Sequence, residues 1–353
     1  MDLIRTIAIF GVISSHIFLF FPNAEVLHFK IISFRQIFMY AVPLFLMLSG
    51  ALLFKRDIVI KDFLKNRIVR IIWPFVLYLI IHVCALILIM HYWVGGFDVA
   101  SNYFSKIPFE YNWYFWMILG LYITVPVINK FIQHSTMKEI EYFIAVLFLG
   151  SVFYQIMFIL DLTHYVNLNL VLCPIAYLVL GYYLSHKDFK MPKKRIITIS
   201  LILIIAVTIL KVLSVNGLVP FDYITGYDIT STPRVGTKVD LGIFELIRVS
   251  SIFLLFRYLF EVKSGVYAKV KIVFENKIVV KSYTSISKSS YGMYLFHRTF
   301  LVPVEIIIST LALTGSQTCL LILILMVVTN LVAWVVVLII NRMPFIKQFS
   351  GYH

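Results

Sequence analysis

Ten long apolar segments, separated by polar connections, constrain the fold of this 353-residue chain more than any other feature. A helix needs about 20 mostly apolar residues to cross the hydrocarbon core of a bilayer. Only 14% of the residues are charged, well below the share typical of soluble domains. We therefore predict an all-α, polytopic transmembrane helix bundle with about ten spanning helices, at residues 3–21, 34–54, 68–92, 113–132, 141–160, 168–186, 195–214, 240–260, 287–309 and 318–341.

The net charge of +14 is distributed as membrane topology requires. Most of the 31 Lys and Arg residues lie at the two ends of the chain or in the connections that follow the even-numbered spans. Short basic connections stay in the cytoplasm, so both termini are predicted to be cytoplasmic. This pattern explains the positive charge, so no nucleic-acid partner is expected. The lipid bilayer is the partner that the sequence requires.

The first apolar segment carries two side chains, Arg5 and His16, that a lipid-facing helix does not use. They are eleven residues apart, so they share one stripe of the helix and lie about 16 Å apart along its axis. Ionisable groups inside a membrane are unfavourable by about 2.5–3.5 kcal/mol each and therefore indicate function. His16 is a candidate general base; the alternative is a histidine that only bonds a neighbouring helix.

A cluster of basic residues lies just before and at the start of the third segment. A stripe of polar residues lies at the start of the ninth segment. Two guanidiniums three residues apart suit a polyphosphate, although the same charges could form a topology-setting collar. In the ninth segment two phenols and a guanidinium are spaced i, i+3 and i+7, and the alternative there is a structural network between helices. The first group is Lys61, Lys65, Arg67 and Arg70; the second is Tyr291, Tyr294 and Arg298, with His297 offset from the stripe.

Other patterns carry weaker predictions. Trp113 and Trp116 could form an aromatic belt at the outer membrane boundary or stack on a sugar ring. Gly50 indicates close helix packing, and Glu245 could neutralise Arg248. The three cysteines have neither metal-site nor disulfide spacing, and no metal is expected. An ordered polar cap is predicted in the connection 214–240, and a basic amphipathic piece along the membrane surface at 261–286.

The chain resembles the acyltransferase-3 family of bacterial integral-membrane acyltransferases. Five motifs carry the resemblance in the family's order, and together they span nearly the whole chain. One departure is the opening MDLIRTIAIF, which lacks the Gly-rich stretch of many members. The motifs are Arg5 followed by His16, then VPLFLMLSG at 42–50, NRIVRIIWP at 66–74, WYFWMILGLYITVPVI at 113–128 and ISKSSYGMYLFH at 286–297.

The resemblance implies a single transmembrane domain over residues 1–353 in the bacterial inner membrane, with no appended soluble domain. Acetyl-CoA, or another acyl-CoA, is the implied donor, and a hydroxyl of a cell-surface or lipid-linked polysaccharide is the acceptor. Within the family, surface-polysaccharide O-acetyltransferases of the enterobacterial common antigen type are most similar. The implied site residues are His16, Arg5, Tyr294 and Arg298 for catalysis, Lys61, Lys65, Arg67 and Arg70 for the donor, and Trp113, Trp116, Tyr291 and His297 for the acceptor.

Two other functions fit parts of the sequence. A transporter or flippase for a lipid-linked glycan would use the same polar stripe as a conduction path, but such proteins usually contain inverted repeats, and we find none here. A membrane scaffold would not explain the polar side chains that are placed together in lipid. The sequence leaves the oligomeric state open.

Overall fold

The structure, a computed structural model, describes residues 1–55, 57–89, 112–159, 174–219, 242–309, 311 and 313–352. Within these residues it confirms an all-α bundle, since its one sheet is a hairpin of two-residue strands, Glu25–Val26 and Phe29–Lys30. The α-helices are α1 (Asp2–Ile17), α2 (Ala41–Leu53), α3 (Ile60–Ile89), α4 (Trp113–His134), α5 (Met137–Ile159), α6 (Ile175–His186), α7 (Lys193–Val215), α8 (Ile243–Leu259), α9 (Val266–Glu275), α10 (Lys277–Ser309) and α11 (Gly315–Arg342).

Each of the ten predicted spans has a helical counterpart among the described residues. The start of the sixth span, 168–173, and nearly all of the predicted polar cap lie outside the described residues. Among the residues that the structure describes, six helical segments are long and apolar enough to cross a membrane, which supports a multi-pass protein. These are Asp2–Phe20, Ile31–Leu53, Ile60–Ile89, Trp113–His134, Lys193–Val215 and Gly315–Arg342.

Two helices begin earlier than hydropathy predicts. Helix α3 starts at Ile60 instead of residue 68, and α10 starts at Lys277 instead of residue 287. Charged and polar side chains interrupt the apolar ones in their first turns, so hydropathy does not mark them, yet nothing in these turns interrupts backbone hydrogen bonding. As a result Arg67 and Arg70 lie inside a continuous helix.

The second predicted span consists of two pieces. Residues Ile31–Phe38 form a 3-10 helix, and α2 follows at Ala41. Pro43 lies in the first turn of α2, where its missing N–H group is tolerated. The 3-10 helix, which contains Arg35, packs against α1.

The predicted basic amphipathic piece is divided between α9 and the first turns of α10. Its apolar side chains are exposed: Val266 is 73% exposed and Ile278 is 76% exposed. An exposed apolar face on a lysine-rich helix is what contact with a membrane surface requires. That contact stays a prediction.

Helix α1 lies at the centre of the bundle. It packs against α2, α10, α11 and the 3-10 helix Ile31–Phe38, and Ala8 and Ile13 are fully buried. Ser287 on α10 donates a hydrogen bond to Asp2 over 2.8 Å, so the start of α1 lies beside the first half of α10. Gly351, near the C-terminus, contacts Gly292, which also lies on α10. Both termini therefore lie on one side of the bundle.

Helices α2 and α6 approach so closely that only glycine fits at the crossing. A Cβ atom on Gly50 would lie 1.8 Å from the carbonyl oxygen of Leu178, and one on Gly181 would lie 1.9 Å from that of Met47. This backbone contact confirms the close packing predicted at Gly50. Helices in membranes associate through such small residues because no hydrophobic effect drives them together in lipid.

Gly50→Ala is therefore expected to destabilise the fold by about 2 kcal/mol or more, since the new methyl group overlaps a backbone oxygen. Gly120→Ala on α4 is the matched control, because nothing lies within 4 Å of a Cβ atom there. That substitution should leave stability unchanged or raise it slightly, as alanine favours helix. Thermal unfolding in detergent measures both variants, and equal melting temperatures would contradict the close crossing.

A fully buried ion cluster fixes the position of the 3-10 helix. Glu245 accepts hydrogen bonds from Lys211 over 2.5 Å and from Arg248 over 2.6 Å. This confirms the predicted pairing of Glu245 with Arg248 and adds Lys211 as a second cation. Arg248 also donates to the backbone oxygen of Gln36 over 2.6 Å. The cluster thus ties α7 and α8 to the residue next to Arg35.

Candidate functional site

A cavity of about 600 Å³ runs beside α1. Side chains from α1, α2, α3, α4, α10 and the 3-10 helix line it. Basic residues lie at the end where α1 begins, and His16 lies toward the other end, so the cavity joins the two features that the sequence placed on one stripe. Of the predicted site residues, the lining includes Arg5, His16, Arg67, Arg70, Trp113, Tyr291, Tyr294, His297 and Arg298.

Three guanidiniums converge at the basic end of the cavity. Those of Arg5, Arg67 and Arg70 all interact electrostatically with the hydroxyl of Tyr122, which places them around one point. Arg5 also donates to Ser287 over 3.4 Å. Because α1 and α3 both supply cations here, the end of the cavity forms a positively charged mouth suited to phosphate groups.

At the other end, His16 lies beside His297. His16 Nδ1 is 3.0 Å from His297 Nε2, and the planes of the two rings differ by 16°. His297 Nδ1 is 2.6 Å from the backbone oxygen of Tyr294, one turn earlier on α10. The sequence placed His297 off the polar stripe of α10, and the structure shows that this offset directs it toward α1.

The two phenols of the α10 stripe differ in their contacts. Tyr291 donates a hydrogen bond to the backbone oxygen of Ile71 over 2.8 Å, which joins α10 to α3. The Tyr294 hydroxyl is buried and donates no hydrogen bond within the described part of the chain, and the backbone of Phe115 lies within hydrogen-bonding reach of its oxygen. Its ring packs edge to face on Tyr114, with centroids 4.9 Å apart. Tyr294 is therefore the phenol with a hydroxyl available at the cavity wall.

Two further cations, Arg35 and Arg298, line the cavity with His16, and both interact electrostatically with its imidazole. Arg35 is not among the candidate site residues predicted from the sequence. Among the described residues that line the cavity, none is Asp or Glu. The whole space is therefore electropositive and favours anionic molecules.

Sequence reasoning missed several other lining residues. Tyr114, Tyr122 and Lys288 all line the cavity. Tyr114 and Tyr122 are eight residues apart, a spacing that puts them on one face of α4. That spacing is the signal from which both could have been found.

Three predicted site residues do not line the cavity. Lys61 and Lys65 are exposed, and Trp116 is 42% exposed and packs edge to face on Phe115. The reason is the helical period of about 100° per residue. Each lysine projects between about 120° and 180° from Arg67 and Arg70, and Trp116 projects on the face of α4 opposite Tyr114.

No group of three or more His, Cys, Asp or Glu side chains that could hold a metal ion occurs in the described ranges. The chemistry that the cavity offers comes from imidazole, phenol and guanidinium groups. These can accept a proton, stabilise an oxyanion and bind phosphate.

Comparison with protein families gives a match to a family model described as an acyltransferase domain, which covers residues 1–338. No curated protein and no solved structure was found to match the chain. The matched range includes all of the residues that line the cavity.

Proposed function

The chain belongs to the acyltransferase-3 family of membrane acyltransferases, and on this premise we propose the reaction. It transfers an acyl group, most simply acetyl, from cytoplasmic acyl-CoA to a hydroxyl of a cell-surface or lipid-linked polysaccharide in the bacterial inner membrane. One observation carries the proposal: a single cavity is lined by Arg67 and Arg70 at one end and by His16 at the other.

The basic end supports the choice of donor. Coenzyme A carries three phosphate groups, and the forked guanidiniums of Arg67 and Arg70 can bind phosphate oxygens in pairs. Arg5 and Lys288 add positive charge at the same mouth. With its phosphates held there, the pantetheine arm would extend along α1 and bring the thioester toward His16.

The proposed reaction then needs one base and one oxyanion stabiliser. His16 takes the proton of the acceptor hydroxyl while the hydroxyl oxygen attacks the thioester carbonyl carbon. The Tyr294 hydroxyl or the Arg298 guanidinium stabilises the negative charge on the carbonyl oxygen. The carbon–sulfur bond breaks, the proton on His16 passes to the departing sulfur, and the products are the acyl ester and free CoA.

The acceptor end supports a negatively charged acceptor. Arg35 and Arg298 line the cavity near His16, whereas a sugar hydroxyl and a thioester are both neutral. A diphosphate-linked saccharide, or a glycan with carboxylate groups, would match this charge. Trp113 offers an aromatic wall for a sugar ring.

Two measurements test the proposal. Mass spectrometry of surface glycans from cells with and without the gene should show an added acyl mass only when the gene is present. Purified protein in proteoliposomes should consume radiolabelled acetyl-CoA only when an extract of these lipid-linked glycans is supplied. Glycan movement across the membrane without acetyl-CoA consumption would overturn the proposal and support the flippase instead.

A further inference from the structure

The hydrogen bonds around the two facing imidazoles assign a role to each nitrogen. We propose that His297 is a positioning residue: it holds His16 in the Nδ1–H tautomer, so that His16 Nε2 is the atom that takes the acceptor's proton. This inference rests on the proposed function and adds to it a residue that acts through His16.

The assignment starts at the backbone. The carbonyl oxygen of Tyr294 can only accept a hydrogen bond, so His297 Nδ1, 2.6 Å away, must carry a hydrogen. A neutral imidazole has one N–H group, which leaves a lone pair on His297 Nε2. That lone pair faces His16 Nδ1 over 3.0 Å. His16 Nδ1 must therefore be the donor.

The same reasoning fixes the reactive atom of His16. A general base must begin unprotonated, so the neutral His16 ring has its one hydrogen on Nδ1 and a lone pair on Nε2. His16 Nδ1 is the atom that faces His297, and the two rings are nearly parallel with centroids 5.0 Å apart. Nε2 then points away from His297. If the ring of His16 rotated, the hydrogen bond to His297 would be lost.

The position of His297 is itself fixed by the fold. Its side chain is 2% exposed, and its acceptor, Tyr294, lies one turn earlier on the same helix. Because α1 packs directly on α10, the backbone of α10 sets the tautomer of a side chain on α1. The carbonyl, His297 and His16 form a chain of oriented groups, as in the triads of hydrolases, where a third group orients the base.

His297 also acts during the reaction. When Nε2 of His16 takes the acceptor's proton, the ring becomes cationic and its Nδ1–H bond to His297 becomes charge-assisted and stronger. The bond thus stabilises the protonated form of His16, which forms as the hydroxyl attacks the thioester. Loss of the bond should therefore lower kcat and leave the KM for acyl-CoA nearly unchanged.

The chain offers a matched control in His82. It is also a buried histidine, 2% exposed, and it hydrogen-bonds Thr299 over 3.0 Å. It does not line the cavity. His82→Gln therefore reports the effect of altering a buried histidine near α10 without touching His16.

Kinetics of the purified protein, with radiolabelled acetyl-CoA and glycan extract, provide the first test. We expect His297→Ala to lower kcat about 10²-fold with the KM for acetyl-CoA changed less than about twofold. Glutamine ends in an amide oxygen that can accept from His16 Nδ1–H, so His297→Gln should recover about tenfold over alanine. His82→Gln should stay within about twofold of the parent. Equal rates for the alanine and glutamine variants, or an unchanged kcat in both, would overturn the inference.

A second test reads the tautomer and needs no acyl transfer. Nitrogen-15 NMR of histidine-labelled protein separates protonated from bare ring nitrogens, and His16→Gln identifies the signals of His16. The parent should show His16 with hydrogen on Nδ1, and His297→Ala should show a mixture of tautomers. A parent protein with hydrogen on His16 Nε2 overturns the inference, whether or not either variant folds. Unchanged transfer in His16→Ala would instead overturn the proposed base.

Discussion

His16→Ala is expected to lower the rate of acyl transfer by about 10³-fold, within the range that a general base contributes. In the proposed reaction the imidazole takes the hydroxyl proton, and the alanine variant has no group at that position to replace it. The KM for acetyl-CoA should change little, because the basic mouth lies about 16 Å away along α1. The measurement is transfer of radiolabelled acetyl from acetyl-CoA in proteoliposomes.

The control for this prediction must separate loss of chemistry from loss of fold. His82→Gln alters another buried histidine and should retain the parent rate. The melting temperature of His16→Ala should lie close to that of the parent, since His16 faces a cavity and is only partly buried. A folded alanine variant that transfers acetyl at the parent rate would remove His16 from the mechanism.

The double variant Arg67→Gln, Arg70→Gln is expected to raise the KM for acetyl-CoA about 10²-fold or more. Each hydrogen bond to a charged group contributes about 1.5–3 kcal/mol, and two such contacts are removed together. At saturating donor the kcat should stay within a few-fold of the parent, because the thioester still reaches His16. Initial rates over a range of acetyl-CoA concentrations separate the two constants.

Helix α3 supplies the control for this second prediction. Lys61→Gln, Lys65→Gln removes the same number of charges from the same helix, but these side chains are exposed on the other face. That variant should change the KM by less than about threefold, as expected for screened surface charges. Equal effects of the two double variants would show that general surface charge, and not a phosphate site, attracts the donor.

A donor without phosphate groups provides a second test of the phosphate site at Arg67 and Arg70. Acetyl-pantetheine lacks the phosphates of acetyl-CoA, so the parent protein should use it with a much higher KM. In the double arginine variant the two donors should have similar KM values, because the residues that distinguish them are gone. A remaining strong preference for acetyl-CoA would place the phosphate site elsewhere.

The approximate location of each spanning helix followed from local properties of the chain, and so did part of the site. Hydropathy marks the stretches that lie in lipid, and the period of about 100° per residue places Arg5 and His16 on one stripe. Hydropathy could not mark the first turns of α3 and α10, since charged and polar side chains interrupt the apolar ones there. With α3 begun at Ile60, the same period would have separated Lys61 and Lys65 from Arg67.

The sequence by itself determined the all-α membrane class, the stripe of α1 and the basic face of α3, because these depend on residues within a few turns of one another. Only the tertiary structure decided that His297 meets His16, that Lys211 joins Glu245 and that Arg35 lines the cavity. Those contacts join separate helices, and no local periodicity specifies which helix faces which. Packing decides it, through crossings such as the glycine contact between α2 and α6.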